Sequence, residues 1–307
     1  MRIAVPDLIS NSYFPAIAAV ELGFFRSEGI DATLDLVFPV TRAMESLRDG
    51  ELDLVAGAAH ATLAAFPDWQ GARLLAALAQ HMYWFLVLRS DLRVRRGDLT
   101  ALAGLRIGAA PGPDEGLRQL LIEAGIDPAS NRIEIGPIPT ANAAGVSFGV
   151  TAARALEEGT LDGFWANGMG AEVAVRRGVG SVVLDVRRGD GPPPARGFTF
   201  PALVATTDLI DREPTLVASA VRAVVRAQQA LKAEPSCATR VGERLFPPLE
   251  ASLIAELIRR DTPYYDPRIE QDTVERLNRF ATARGLLSHA VPYSGVVAAA
   301  FRDCWSA

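Results

Sequence analysis

The sequence predicts an α/β protein of two doubly wound, mostly parallel lobes, with the second inserted into the first. Three observations predict it. A β-α-β-α-β order is written twice. Matching glycine-bearing signatures end the helices in both copies. Two apolar runs stand where the chain would cross between lobes.

The first strand is read from Arg2-Ile3-Ala4-Val5-Pro6-Asp7, a short apolar run stopped by a proline-bearing turn. It is answered about a hundred residues later by Arg106-Ile107-Gly108-Ala109-Ala110-Pro111. Each is followed by a helical stretch that ends in Gly-Ile-Asp, at Gly29-Ile30-Asp31 and Gly125-Ile126-Asp127, where glycine supplies the left-handed cap. A second apolar run follows in each copy, Ala32 to Phe38 and Arg132 to Ile138. The third correspondence pairs Leu47-Arg48-Asp49-Gly50-Glu51-Leu52-Asp53 with Leu156-Glu157-Glu158-Gly159-Thr160-Leu161-Asp162, a helix, a glycine cap and the entry to a strand. Right-handed crossovers turn this order into a sheet with helices on both faces.

The runs Tyr83 to Leu88 and Phe198 to Ala205, the latter after the prolines at 192–194, read as crossover strands. They place lobe 1 at residues 1–87 plus 204–307 and lobe 2 at 88–203, with hinges near 87–90 and 198–204. Glu213 to Lys232 and Ile269 to Arg284 read as amphipathic helices completing lobe 1.

Composition narrows the function. The 307 residues exceed one ordinary domain, and 49% hydrophobic with 22% charged residues suits a protein with a sizeable core. Its 31 basic and 36 acidic side chains are interspersed, net -5, so no basic stripe argues for nucleic acid or anionic lipid. The cluster Arg93, Arg95, Arg96 reads as a solvated loop. No apolar stretch reaches the roughly 18 residues of a membrane span. Two cysteines, Cys237 and Cys304, make no disulfide framework, and whether they pair is open. Met1 runs straight into the first strand with no basic and then apolar leader. Either a leader has been removed, giving a periplasmic or membrane-anchored extracytoplasmic protein, or the protein is cytoplasmic.

Leu88-Arg89-Ser90-Asp91, Asp98-Leu99 through Gly108, Ala155 to Asp162 and the late helix near Pro214 occur in an order that resembles the type II periplasmic solute-binding proteins. Tyr13 through Gly29, with Ala-Val-Glu-Leu-Gly-Phe-Phe-Arg-Ser-Glu-Gly, is similar to the first helix of their nitrate, sulfonate and taurine-binding branch, which is related to the thiamine pyrimidine synthases. The chain lacks the cysteine-rich iron-binding segment of those synthases. The resemblance covers nearly the whole chain and implies a two-lobed fold with ligand in the interlobe cleft. It also implies an ABC importer permease as partner if the protein is periplasmic.

Ligands of doubly wound sheets bind beyond the carboxyl ends of the strands. Six loops fit: Asp7 to Phe14, Phe38 to Arg42, Gly57 to Thr62, Ala110 to Asp114, Thr140 to Phe148 and Trp165 to Asn167. Asn11, Ser12, Thr41, His60, Thr62, Ser147 and Asn167 offer hydrogen bonds there; Tyr13, Phe14, Phe38, Phe148 and Trp165 offer flat apolar walls. Pro111 and Asp114 lie in the fourth loop. Asp7 suits a ligand amine and Arg196 a ligand carboxylate, although both also read as surface or capping groups. Asn11, Ser12, Thr41 and Thr62 equally suit helix caps, and Phe14 and Phe38 the core. The mixture favours a small organic ligand of aromatic, heterocyclic, sulfonate or carboxylate type.

Gly145-Val146-Ser147-Phe148-Gly149 matches a nucleophile elbow, with His289 following, but the small polar stretch before it is no strand. His81 and His289 read as ordinary surface or packed histidines. No His, Cys or acidic residue stands at metal-ligand spacing from any histidine, and no phosphate or dinucleotide loop occurs, so no metal or cofactor is expected. A monomeric binder of a small molecule, without nucleic-acid contact, is therefore favoured over an enzyme. The alternative is a cytoplasmic decarboxylase, desulfinase or related lyase on the same fold with His60 as proton donor.

Overall fold

The computed structural model describes residues 1–138 and 147–306. The chain enters through strand β1 (Arg2–Val5), helices α1 (Phe14–Glu21) and α2 (Phe24–Ser27), β2 (Thr33–Leu36), α3 (Val40–Arg48), β3 (Leu54–Ala58) and β4 (Ala72–Ala77). A second run follows: β5 (Phe85–Arg89), β6 (Arg106–Ala109), α4 (Pro113–Glu123), β7 (Glu134–Gly136), α5 (Phe148–Glu157), β8 (Gly163–Ala166), α6 (Gly168–Arg176) and β9 (Gly180–Asp185). It ends with β10 (Pro201–Thr206), α7 (Thr207–Arg212), α8 (Pro214–Ala233), α9 (Cys237–Leu245), α10 (Pro248–Asp261), α11 (Gln271–Ala283) and α12 (Tyr293–Val296).

Two compact units result, Met1–Gln80 with Thr199–Ala307, and His81–Phe198. In the first unit the strand order is β2-β1-β3-β10-β4; in the second it is β7-β6-β8-β5-β9. The orders correspond strand for strand. In each, β10 or β5 runs antiparallel to both neighbours while the other four strands are parallel. The chain passes between units at Gln80–His81, earlier than the hinge expected at 87–90, and at Phe198–Thr199, at the start of the expected 198–204. The apolar run Tyr83 to Leu88 leads into β5, wholly a strand of the second sheet, and β10 is wholly a strand of the first.

The central strand β3 is buried at every position, as a strand covered on both faces must be, while edge strand β2 is half-exposed. Helix α3 buries Val40, Ala43, Met44 and Leu47, the one-face spacing of a helix lying on a sheet. Gly50 and Gly159, at matching positions after α3 and α5, adopt φ of 75° and 72°. There a side chain would clash with its own backbone, so the shared glycine ends both helices. The aspartates that follow repeat one contact: Asp53 accepts the amide of Arg2 at 2.7 Å, and Asp162 that of Arg106 at 2.9 Å. Each ties the start of a central strand to the strand beside it.

Among the described residues no helix is long and apolar enough to cross a membrane. Both cysteines are free thiols, Cys237 buried on α9 and Cys304 partly exposed near the C-terminus.

Candidate functional site

At the carboxyl end of the first sheet, the loop after β1 folds inward. Asp7, Ser10, Asn11, Ser12 and Tyr13 are all buried. Asp7 accepts the amide of Ile9 at 2.9 Å, and Ser10 Oγ that of Ser12 at 3.1 Å, so the loop is shaped by its own side chains. Asn11 donates from Nδ2 to Asp261 at 2.6 Å, a contact made from the far end of α10.

The chain leaves β3 through a 3-10 turn, Ala59–Ala64, that buries His60 and Thr62. The Nδ1 of His60 lies 3.0 Å from Thr199 Oγ1, and the ring meets Phe280 edge-on at 5.4 Å. Ser12 Oγ and Thr62 Oγ1 have no hydrogen-bond partner among the described residues, although each residue is at most 1% exposed. Neither caps a helix: the N-cap positions of α1 and of the 3-10 turn are Tyr13 and Ala58, and neither end has a side-chain cap. Thr41 lies inside the first turn of α3, behind Pro39, and Phe38 and Thr41 are half-buried. Phe14 is fully buried against Phe246, with centroids 6.2 Å apart, which makes it core.

In the second unit, Pro111 is exposed, and Asp114 accepts the amide of Gly112 and pairs with Arg118 at 3.3 Å. Both contacts are local to the start of α4. Ser147 and Phe148 begin α5 and are buried; the rest of the loop Thr140 to Phe148 lies outside the described residues. Asn167 caps α6, its Oδ1 accepting from Met169 at 3.0 Å and Gly170 at 3.2 Å. Trp165 lies within β8 rather than after it. It is fully buried and donates its indole N–H to Pro113 O at 3.1 Å. Arg196 is exposed, and its carbonyl accepts the amide of Met82.

Gly149 has a packing role. A methyl at Gly170 would lie 2.6 Å from the Cα of Gly149, so α5 and α6 cross backbone against backbone. In the elbow-like string, Ser147 is thus the residue before a helix and Gly149 its crossing point. His289 belongs to the other unit, where its Nδ1 contacts Ser288 Oγ at 2.8 Å.

Sequence reasoning missed Asp261, Thr199 and Arg187. Asp261 and Thr199 reach the β1 and β3 loops over sequence separations of 250 and 139 residues, with no local signal. Arg187, in a 3-10 turn after β9, is 2% exposed and stands 5.6 Å over the Tyr83 ring. Two adjacent arginines carry no local signal of burial, since arginine is mostly exposed. Among the described residues no group of three or more His, Cys, Asp or Glu side chains is placed to hold a metal.

Solved structures share this architecture. The alkanesulfonate-binding protein SsuA from Xanthomonas axonopodis pv. citri, bound to MOPS, superposes with a TM-score of 0.72 at 14% identity, over 96% of this chain and 97% of that one. The periplasmic nitrate-binding protein NrtA from Synechocystis PCC 6803 gives 0.70 at 14%, over 99% and 86%. The desulfurization enzyme DszB gives 0.65 at 18%, over 97% and 96%. No curated protein matches the sequence. The fold is thus that of the type II periplasmic solute-binding proteins. The family model described as NMT1/THI5 like matches residues 10–238, and the chain belongs to that family.

Proposed function

We propose that this protein is a solute-binding protein that captures a small organic ligand and hands it to an ABC importer, working outside the cytoplasm beside a membrane permease. The observation that carries the reading is the pair Ser12 Oγ and Thr62 Oγ1. These are buried hydroxyls without a partner among the described residues, at the carboxyl ends of the adjacent strands β1 and β3. A buried hydroxyl left unpaired costs about 1–3 kcal/mol, and a polar ligand group reaching both would recover it. Asn11, held by Asp261, and His60, beside Thr199, supply further polar groups at the same end of the sheet. The likeness to SsuA and NrtA supports a transport role.

In this reading the protein captures its ligand by hinge closure. The first crossover is short: the amide of Gln80 donates to Tyr264 in one unit and that of Met82 to Arg196 in the other. Between them stands His81, with a left-handed φ of 69°.

The likeness to DszB and the contact between His60 and Thr199 favour a second reading, a lyase on the same fold. Native mass spectrometry of the purified chain, followed by incubation with any retained molecule, separates the two. A retained ligand released unchanged is expected. Multiple-turnover conversion of that molecule would sink the binder reading.

A further inference from the structure

We propose that the first unit carries a second ligand site, a groove among its helices that takes a small zwitterion with an apolar body, such as a hydrophobic amino acid. The groove lies wholly within the first unit, and the proposal does not depend on the transport role argued above. It forms where the chain turns from α1 into α2, beside the end of α8 and one face of α9, and it encloses about 640 Å³, a size usual for small-molecule sites. Leu22, Phe24, Ala230 and Ala233 give it apolar walls. From α9 it is lined by Cys237, Arg240 and Arg244, residues three and four apart on one face of the helix.

The charges around the groove select the ligand. Glu21 and Arg244 pair at 2.6 Å and neutralise each other. Arg226, which stands over the Phe24 ring, pairs with Glu28 at 3.1 Å. Glu234 accepts the Ser236 hydroxyl at 3.0 Å, and neither Glu234 nor Arg240 has an ion-pair partner among the described residues. One unpaired charge of each sign therefore borders the apolar space. Both charges are felt at the buried Cys237: burial pushes its thiol pKa up, the charge of Arg240 opposes that rise, and the charge of Glu234 adds to it. A simple anion would answer Arg240 and leave Glu234 unmatched, and a simple amine would do the reverse. A zwitterion whose carboxylate meets Arg240, whose ammonium meets Glu234 and whose apolar part lies against Leu22 and Phe24 answers all three features. Arg240 and Glu234 are exposed, so each ionic contact changes affinity by a few fold rather than by orders of magnitude.

The test uses the full chain and three probes of one shape: L-phenylalanine, 3-phenylpropanoate, which lacks the ammonium, and 2-phenylethylamine, which lacks the carboxylate. Ligand-observed NMR titration should show phenylalanine bound about 3-fold or more tighter than either single-charge probe. Arg240→Gln should bring phenylalanine to the level of the amine, and Glu234→Gln to the level of the acid. Ala233→Phe, on the exposed side of the groove, should fill it and weaken all three probes. Cys237 supplies a local readout: its alkylation by iodoacetamide, measured by peptide mass spectrometry against Cys304 as internal reference, should slow in the presence of phenylalanine. If Cys237 does not react at all, the charge variants decide alone. No binding of phenylalanine, equal binding of the three probes, a zwitterion preference that survives both charge substitutions, or binding that leaves a reactive Cys237 unprotected would overturn the proposal. Loss of the preference in only one of the two variants would make the groove a site for a simple anion or amine and would overturn it as well. Binding at the loops after β1 and β3 would be unmoved by these three variants, so failure here leaves the proposed function standing.

Discussion

His60 and Thr199 meet at 3.0 Å between Nδ1 and Oγ1, joining the turn after β3 to the first residue of the chain's return to its first unit. The contact fixes the orientation of the imidazole, because the ring also packs edge-on against Phe280. Thr199→Val is expected to destabilise the protein by about 0.5–1.5 kcal/mol, the net worth of one hydrogen bond, and to weaken ligand binding without creating or abolishing catalysis. Thermal melts and titration of the retained ligand check this. A His60→Ala variant that stops an otherwise measurable turnover would instead favour the lyase.

Ser12→Ala and Thr62→Val should act on stability and affinity with opposite signs. Each removes a buried hydroxyl that has no partner among the described residues, so the ligand-free protein should melt at the same or a higher temperature. Affinity should fall by about 1 kcal/mol per hydroxyl. Equal losses of stability and affinity would mean that these groups serve the fold.

The contact from Asn11 to Asp261 carries a formal charge into a buried place, 2.6 Å from its donor. Asp261→Ala should cost about 2 kcal/mol or more, because it strips a charged acceptor from a buried amide. Asn11→Ala should lower affinity as well as stability, since it leaves a buried carboxylate to be satisfied otherwise. A double-mutant cycle on melting temperature measures their coupling, and additive effects would argue against it.

Asp162 predicts an acid limit on the second unit. Its carboxyl is held below the ordinary 3.8, first by the hydrogen bond from the Arg106 side chain, against the opposing effect of burial and with help from the Arg106 amide. A depressed carboxylate contributes stability that is fully present above pH 3.8 and is lost as pH falls through the lower folded value. Melting temperature should therefore decline more steeply in the wild type than in Asp162→Asn between about pH 5 and pH 2. Near neutral pH the substitution should cost only about 1 kcal/mol, since Arg106 is well exposed. Parallel pH profiles would refute the assignment.

Gly170→Ala should destabilise by about 1–3 kcal/mol, the usual cost of inserting a methyl into a closed contact. The added carbon would fall 2.6 Å from the Cα of Gly149, and backbone cannot rotate away as a side chain can. A melting temperature equal to wild type would show that α5 and α6 separate easily.

The architecture was legible in the sequence because its signals are local. Gly50 and Gly159 end helices for reasons contained in their own φ angles, and the aspartates at 53 and 162 mark the next strand a few residues on. Burial of a whole strand likewise shows as an apolar run, as in Leu54–Ala58. The run Tyr83 to Leu88 marked a strand just as plainly, yet it could not say to which sheet that strand belongs. Pairing partners are chosen by non-local hydrogen bonds and packing, and β5 inserts between β8 and β9.

The site divides in the same way. That polar residues after β1 and β3 gather at one end of a sheet follows from strand direction, so Asn11, Ser12, His60 and Thr62 could be named from sequence alone. Which of them are already occupied was decided by chain returning from 139 to 250 residues away: Thr199 to His60, and Asp261 to Asn11. The same holds for Trp165, whose indole is closed off by Pro113, and for Arg187, an arginine that only its place under β9 and over Tyr83 takes out of water. A residue's type determines what it can bond, and local periodicity determines where it sits along an element. Whether its partner is solvent, protein or ligand is set by contacts between distant segments, which sequence spacing does not encode.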